Sequence, residues 1–193
     1  MDDEFVLTPA QRQRIHVVGT SGSGKSTLAR ELSRLLEAPY VELDALHWLK
    51  DWQEEDNDRF REKLKAKLRQ KKWVLDGNYF SKSVDIQWAE QGGATTVVWC
   101  DYSFPLTLTR ATKRAFIRAW NQTEIWPGTG NRESFSKSFF SHDSVILWTI
   151  ISYRHIKTRY GDIIENNNYE HIRFVRLRSP NDCKQFLQQF SGG

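Results

Sequence analysis

Residues 15–26 read Ile-His-Val-Val-Gly-Thr-Ser-Gly-Ser-Gly-Lys-Ser, and this stretch decides the fold class. Its last eight residues follow the pattern G-x-x-x-x-G-K-S of a phosphate-binding loop. The glycines let successive backbone N–H groups turn inward, and a helix that begins near Lys25 points its positive dipole end at the same place. The stretch therefore predicts a site for a polyphosphate.

The pattern is informative only between a buried strand and a helix, and both flanks are predicted here. The run 15–18 has the composition of a short buried strand. Four leucines recur at helical spacing within residues 28–36, and Pro39 ends that pattern. The alternative is a Gly/Ser-rich turn that contains a lysine by chance, and such a turn would not need a strand before it and a helix after it.

The loop predicts ATP and Mg²⁺ as cofactors. We expect Lys25 to reach the β- and γ-phosphates and the Ser26 hydroxyl to ligate Mg²⁺. The predicted nucleotide-binding residues of the loop and the following helix are Gly19, Thr20, Ser21, Gly22, Ser23, Gly24, Lys25, Ser26 and Thr27.

Length and composition predict one domain over residues 1–193 and argue against several classes of protein. The longest apolar run, Val145–Ile151, is too short to span a bilayer, so we expect no membrane association. Two cysteines provide no disulfide framework, and residues 1–4 show no targeting signal, so we expect a cytoplasmic protein. A formal net charge of +4 suits either nucleic acid or an enzyme that closes over phosphates.

Short β-branched or aromatic runs alternate with helical patterns, which predicts an α/β fold with a parallel sheet covered on both faces. The predicted strands are 15–18, 40–43, 73–75, 95–100 and 172–177. Beyond the helix after the loop, further helices are predicted around residues 60–68, from 105 to 120 and from 145 to 156. The irregular stretch 121–137 is the candidate lid.

Aspartates directly follow three of the predicted strands, at the edge where parallel sheets bind ligands. Asp76 is predicted to hold Mg²⁺ beside the loop, and the alternative is that it caps the turn of an Asp-Gly pair. Asp44 is predicted to orient a hydroxyl acceptor. Its alternative role is to cap a helix while Trp48 packs into the core. Asp101 is predicted to be a helix cap or a turn residue.

Arg110, Arg114 and Arg118 recur every four residues and therefore share one face of a predicted helix. Phosphoryl transfer spreads negative charge over equatorial oxygens, which arginines on closing elements can stabilise. We therefore predict a catalytic role for all three. The alternative is a solvated basic face, since arginine is a good helix former on any surface.

The chain resembles the adenylate-kinase-like P-loop kinases in residues 19–27, in Leu75-Asp76-Gly77 and in the Arg110/Arg114 pair. Within that group it is most similar to the DNA topology modulation proteins. This closer similarity rests on Leu-Asp-Ala-Leu-His-Trp at 43–48, on residues 73–79 and on Gly-Asn-Arg-Glu at 130–133, and it spans almost the whole chain.

The resemblance implies a three-layer P-loop NTPase fold with a short lid and five parallel strands in the order 2-3-1-4-5. It also implies that Arg178, in the loop after the last strand, lies near the adenine. Adenylate kinases have Phe-Pro-Arg after the Asp-Gly pair, whereas this chain has Asn78-Tyr79-Phe80. The arginine that grips a nucleoside monophosphate is therefore missing at that position.

These observations together predict phosphoryl transfer from ATP to a small-molecule acceptor. With Asp44 present, the acceptor group is predicted to be a hydroxyl, as in shikimate- or gluconate-kinase-like enzymes. The alternative is a nucleotide-dependent regulatory ATPase that acts with nucleic acid, which the sequence pI of about 9.1 would suit. No nucleic-acid-binding motif is readable in the sequence, so the kinase is favoured.

Overall fold

A five-stranded parallel sheet forms the centre of the molecule. The computed structural model describes residues 5–132 and 145–190, with side chains from residue 150 onward in the second range. The strands are β1 (Arg14–Gly19), β2 (Tyr40–Glu42), β3 (Trp73–Asp76), β4 (Thr96–Cys100) and β5 (Arg173–Leu177). Their order across the sheet is β2-β3-β1-β4-β5, which confirms the predicted order.

Seven α-helices connect and flank these strands in the described part of the chain. They are α1 (Lys25–Leu36), α2 (Leu43–His47), α3 (Asn57–Leu68), α4 (Phe80–Gln87), α5 (Phe104–Asn121), α6 (Val145–Glu165) and α7 (Pro180–Gln188). A short 3-10 turn, Lys50–Trp52, follows α2. None of the helices within the described residues is both long and apolar enough to cross a membrane.

Side chains of each central strand alternate between two apolar layers, so the sheet is buried on both faces. In β4, Val97 and Trp99 pack into the layer that includes α3 and α6. Val98 and Cys100 point to the other layer, which includes α1 and α7. The predicted three-layer α/β fold is confirmed.

The structure differs from the sequence prediction in several element bounds. Leu43 was predicted to end β2 but is the first residue of α2. The helix predicted for 145–156 continues to Glu165, and α2, α4 and α7 were not predicted. Of the candidate lid, residues 121–132 are described, and Glu124 and Arg132 form an isolated antiparallel bridge there. Residues 133–137 lie outside the described residues.

Candidate functional site

The phosphate-binding loop connects β1 to α1 with the geometry that its glycines allow. Gly22 and Gly24 have φ values of +79° and +87°, a region that L side chains rarely adopt. Gly24 is the cap residue of α1, and because it has no side chain it makes no capping hydrogen bond to the first turn. The backbone N–H groups at the start of α1 are therefore open to an anionic ligand. Lys25 and Ser26, both half-buried, occupy the first turn.

Helix α5 packs directly against this loop. A Cβ atom added to Gly22 would lie 2.1 Å from the carbonyl oxygen of Thr107, so only glycine permits this approach. About two turns further along α5, Nη2 of Arg114 donates a hydrogen bond to Oγ of Ser21 at 2.7 Å. The guanidinium of Arg110 lies beside Gly24 and over the ring of Tyr102. The structure therefore brings two of the three predicted arginines to the loop.

The other predicted cations are placed less directly. Arg118 lies four residues beyond Arg114, about 6 Å further along the same helix. Arg178 is exposed immediately after β5, and its backbone N–H donates to the Asp182 carboxylate at 2.7 Å. The catalytic role of Arg118 and the contact of Arg178 with adenine stay predictions.

Asp76 ends β3 next to the loop and is almost fully buried. It pairs in register with Val17, two residues before the loop begins, and its exposure is 2%. Oδ2 accepts a hydrogen bond from the Tyr40 hydroxyl at 2.8 Å, whereas Oδ1 has no hydrogen-bond partner among the described residues. Burial, followed by the charge of Asp76, raises the pKa of Tyr40, which keeps this hydroxyl a donor.

The unsatisfied Oδ1 of Asp76 is consistent with a metal ion carried by a nucleotide. A buried carboxylate oxygen without a partner is costly unless a cation or water completes it. Oxygen ligands from a carboxylate and a hydroxyl also match the preference of Mg²⁺. The described residues form no cluster of three or more acidic, histidine or cysteine side chains that could hold a metal alone. By its chemistry Asp76 therefore fits a cation that is bound together with phosphates, whereas the role of Ser26 as a second Mg²⁺ ligand stays a prediction.

Asp44 does not cap a helix, because it is the second residue of α2 and Glu42 occupies the cap position. Its Oδ1 accepts a hydrogen bond from the Tyr79 hydroxyl at 2.9 Å. Burial, followed by the charge of Asp44, raises the pKa of Tyr79, so the hydroxyl remains a donor. Trp48 is half-buried and packs edge-on against His47, with ring centroids 4.9 Å apart.

The described part of the candidate lid is docked on the loop that follows α2. Asn131 is 1% exposed; its Nδ2 donates to the Leu49 carbonyl at 2.8 Å, and its Oδ1 accepts from the Trp52 backbone N–H at 3.0 Å. The rings of Trp52 and Trp126 meet edge-on at 5.9 Å. Nε1 of Trp126 also donates to Glu42 at the end of β2.

Sequence reasoning missed Asn78, which contacts the first residue of the phosphate-binding loop. Its Oδ1 accepts from the Gly19 N–H at 3.0 Å, and its Nδ2 donates to the Gly19 carbonyl at 2.7 Å. The only sequence signal was that Asn78 stands where adenylate kinases have phenylalanine.

Another missed residue is His16 in β1, whose ring tautomer follows from its two partners. The Trp88 indole N–H can only donate, so Nδ1 of His16 is the acceptor at 2.9 Å. The proton is therefore on Nε2, which donates to the Gly77 carbonyl at 2.9 Å. Burial lowers the pKa of His16 to about 4, against smaller raising effects of this hydrogen bond and of Asp76.

Asp101 was predicted to be a helix cap or a turn residue, and the structure shows that it is neither. It is 8% exposed and accepts two hydrogen bonds from Arg176, the shorter at 2.6 Å. Ser103 holds the cap position of α5 instead. Because a buried carboxylate needs a paired charge, Asp101 has a structural role.

Comparisons with known proteins agree with this architecture. The model of the ATPase family associated with various cellular activities (AAA) matches residues 15–75, from the second residue of β1 through the loop and α1 to the third residue of β3. Among curated proteins, none matches the sequence significantly. Two solved kinase structures are similar over nearly the whole chain.

The first is a gluconokinase from Sinorhizobium meliloti 1021, with 17% sequence identity and a TM-score of 0.53. The alignment covers 94% of this chain and 93% of the gluconokinase. The second is a shikimate kinase from Bacteroides thetaiotaomicron, with 12% identity, a TM-score of 0.52, and coverage of 93% and 96%. At these identities the similarity shows the fold alone. The narrower similarity to DNA topology modulation proteins stays a prediction.

Proposed function

We propose that the chain is an ATP- and Mg²⁺-dependent kinase that transfers the γ-phosphoryl group to a hydroxyl of a small molecule. The observation that supports this proposal best is the joint placement of the loop, Asp76 and Asp44. They follow or end three adjacent strands, β1, β3 and β2, at the carboxyl edge of the sheet. Ligands of open parallel sheets bind at this edge.

On the nucleotide side, the loop amides and Lys25 bind the phosphates, and Arg114 and Arg110 approach from α5. Their positive charges stabilise the charge that develops on the transferring group, an effect that can amount to about 10³–10⁵ in rate for one arginine. Ser26 and Asp76 would hold Mg²⁺, which neutralises charge on the phosphate oxygens. Arg118 is proposed to act on the same face and Arg178 to contact the adenine.

On the acceptor side, Asp44 orients the hydroxyl and accepts its proton. The Tyr79 hydroxyl donates a hydrogen bond to Oδ1 of Asp44, and no described side chain donates to Oδ2. Oδ2 is therefore assigned to the hydroxyl of the acceptor. A positioned carboxylate of this kind contributes about 10²–10⁴ in rate. The similar structures of a gluconokinase and a shikimate kinase support a small hydroxyl compound as the acceptor class.

The first test is a coupled assay of ADP release over nucleosides, nucleotides, sugars and hydroxy acids. Phosphorylated products are then identified by mass spectrometry. We expect one small-molecule class to stimulate ADP release and to gain a phosphoryl group. Stimulation by DNA instead, with steep salt dependence and no phosphorylated product, would favour the regulatory ATPase.

Two substitutions test the residue roles. Lys25→Ala should abolish turnover, whereas Lys67→Ala, on the exposed face of α3, should not change it.

Asp44→Asn should reduce kcat about 10²- to 10⁴-fold while ATP affinity is retained. Asp58→Asn, an exposed carboxylate at the start of α3, is the matched control. Normal turnover in Asp44→Asn would return Asp44 to a structural role.

A further inference from the structure

The turn Gly77-Asn78-Tyr79 between β3 and α4 contacts both halves of the proposed site. Asn78 makes two hydrogen bonds to Gly19, where the phosphate-binding loop begins. The next residue, Tyr79, donates its hydroxyl to Asp44 on the acceptor side. Consecutive side chains therefore reach the nucleotide-binding element and the acceptor carboxylate.

Neighbouring groups hold this turn rigidly. The carbonyl of Gly77 accepts a hydrogen bond from Nε2 of His16 at 2.9 Å. The carbonyl of Tyr79 accepts two hydrogen bonds, from Oγ of Ser83 and from Nε2 of Gln87, each at 3.2 Å. His16, Ser83 and Gln87 are each no more than 1% exposed. Because buried hydrogen-bonded groups have few alternative partners, the turn can move little without losing these bonds.

The backbone of Gly77 brings the turn against α2. Its φ of +140° is one that L side chains rarely adopt, and a Cβ there would lie 2.8 Å from Cβ of Leu43. Leu43 is the residue immediately before Asp44. This close contact places the Tyr79 hydroxyl at hydrogen-bonding distance from the Asp44 carboxylate.

We propose that Asn78 and Tyr79 are positioning residues that set the geometry of the phosphate-binding loop relative to Asp44. Asn78 acts through Gly19 on the orientation of the loop amides. Tyr79 acts through Oδ1 of Asp44 and leaves Oδ2 directed to the acceptor. The role of Tyr79 rests on the proposed function, whereas the role of Asn78 requires only that the loop binds nucleotide.

The two residues should affect different kinetic quantities. Asn78→Asp keeps the size of the side chain but removes the donor to the Gly19 carbonyl, so the dissociation constant for ATP should rise about tenfold. Tyr79→Phe removes only the hydroxyl, so ATP affinity should stay within about twofold while kcat with the acceptor falls about ten- to hundredfold. A purely structural turn would not separate binding from turnover in this way.

The experiment measures ATP binding in the presence of Mg²⁺ by calorimetry and acceptor turnover by ADP release, for the whole chain and each variant. Asn166→Asp is the matched control for Asn78, because its Nδ2 donates to a backbone carbonyl in an exposed position at the end of α6. Tyr153→Phe is the control for Tyr79, because its hydroxyl donates to a backbone carbonyl outside the turn. Thermal unfolding confirms that each variant is folded, and Asn78→Ser replaces Asn78→Asp if that variant does not fold.

Unchanged ATP affinity in a folded Asn78 variant, or equal losses of affinity and kcat in both variants, would overturn the proposal. If the wild-type chain binds ATP but phosphorylates no acceptor, the proposed function fails, and the role of Tyr79 fails with it. The ATP affinity of Asn78→Asp still decides the role of Asn78 in that case. The two failures are therefore distinguishable.

Discussion

At the scale of single residues, Gly22 shows why the loop needs glycine for two separate reasons. Its φ is +79°, and a Cβ would collide with the backbone of α5 at Thr107 and Ala111. Gly92 has nearly the same φ, +80°, but a Cβ there would meet nothing within 4 Å. A comparison of substitutions at the two glycines therefore separates the cost of backbone strain from the cost of the collision with α5.

We predict that Gly22→Ala destabilises the protein more than Gly92→Ala. Each substitution incurs the strain of a left-handed residue, about 1–2 kcal/mol. Gly22→Ala adds the cost of forcing the loop away from α5, about 1–3 kcal/mol. Urea unfolding of both variants measures the difference, and ATP binding should weaken only in Gly22→Ala. Equal destabilisation would mean that the loop and α5 separate without cost.

At the scale of elements, one buried amide makes two hydrogen bonds in the contact between the candidate lid and the loop after α2. Asn131 satisfies the carbonyl of Leu49 and the N–H of Trp52. Asp51 and Trp52 are both in the left-handed region, with φ of +57° and +60°, so this loop is strained and needs external support.

We predict that Asn131→Ala releases the segment Glu124–Arg132 from this loop. Leaving a buried donor or acceptor without a partner costs about 1–3 kcal/mol, which is enough to open a local contact without unfolding the domain. Limited proteolysis should then cut the segment faster, and tryptophan fluorescence should change because Trp52 and Trp126 separate. Asn168→Ala, in an exposed position, is the control. If the rate of proteolysis were unchanged, the contact between Trp52 and Trp126, and not Asn131, would hold the segment in place.

The elements were more predictable from the sequence than the contacts between them. The strand, loop and helix from β1 to α1 follow from local spacing and glycine chemistry, which act over a few residues. The hydrogen bonds between Asn78 and Gly19 join positions 59 apart, and those between Asp101 and Arg176 join positions 75 apart. Such pairs depend on which strands become neighbours, and periodicity does not encode that order. Here the strand order came from the family resemblance.

At the scale of the whole molecule, His16 links the central strand β1 to the segment after β3 and to the segment after α4. Its ring bonds the Gly77 carbonyl after β3 on one side and the Trp88 indole after α4 on the other. Only the neutral ring can accept from Trp88, because an imidazolium has a donor at both nitrogens. The stability of the fold should therefore depend on the protonation of this buried histidine.

We predict that the free energy of unfolding decreases as the pH falls from about 6.5 to about 4. Burial lowers the pKa of His16 from 6.5 to about 4, so between these values the unfolded chain binds a proton that the folded chain does not. Stability therefore rises with pH across this window, and this one group contributes about 3 kcal/mol that is fully present above pH 6.5. Urea unfolding at several pH values, compared between wild type and His16→Gln, isolates the contribution. Glutamine can still donate to Gly77 and accept from Trp88 but does not titrate, so the variant should show a shallower slope. An identical slope in both proteins would exclude His16 as its source.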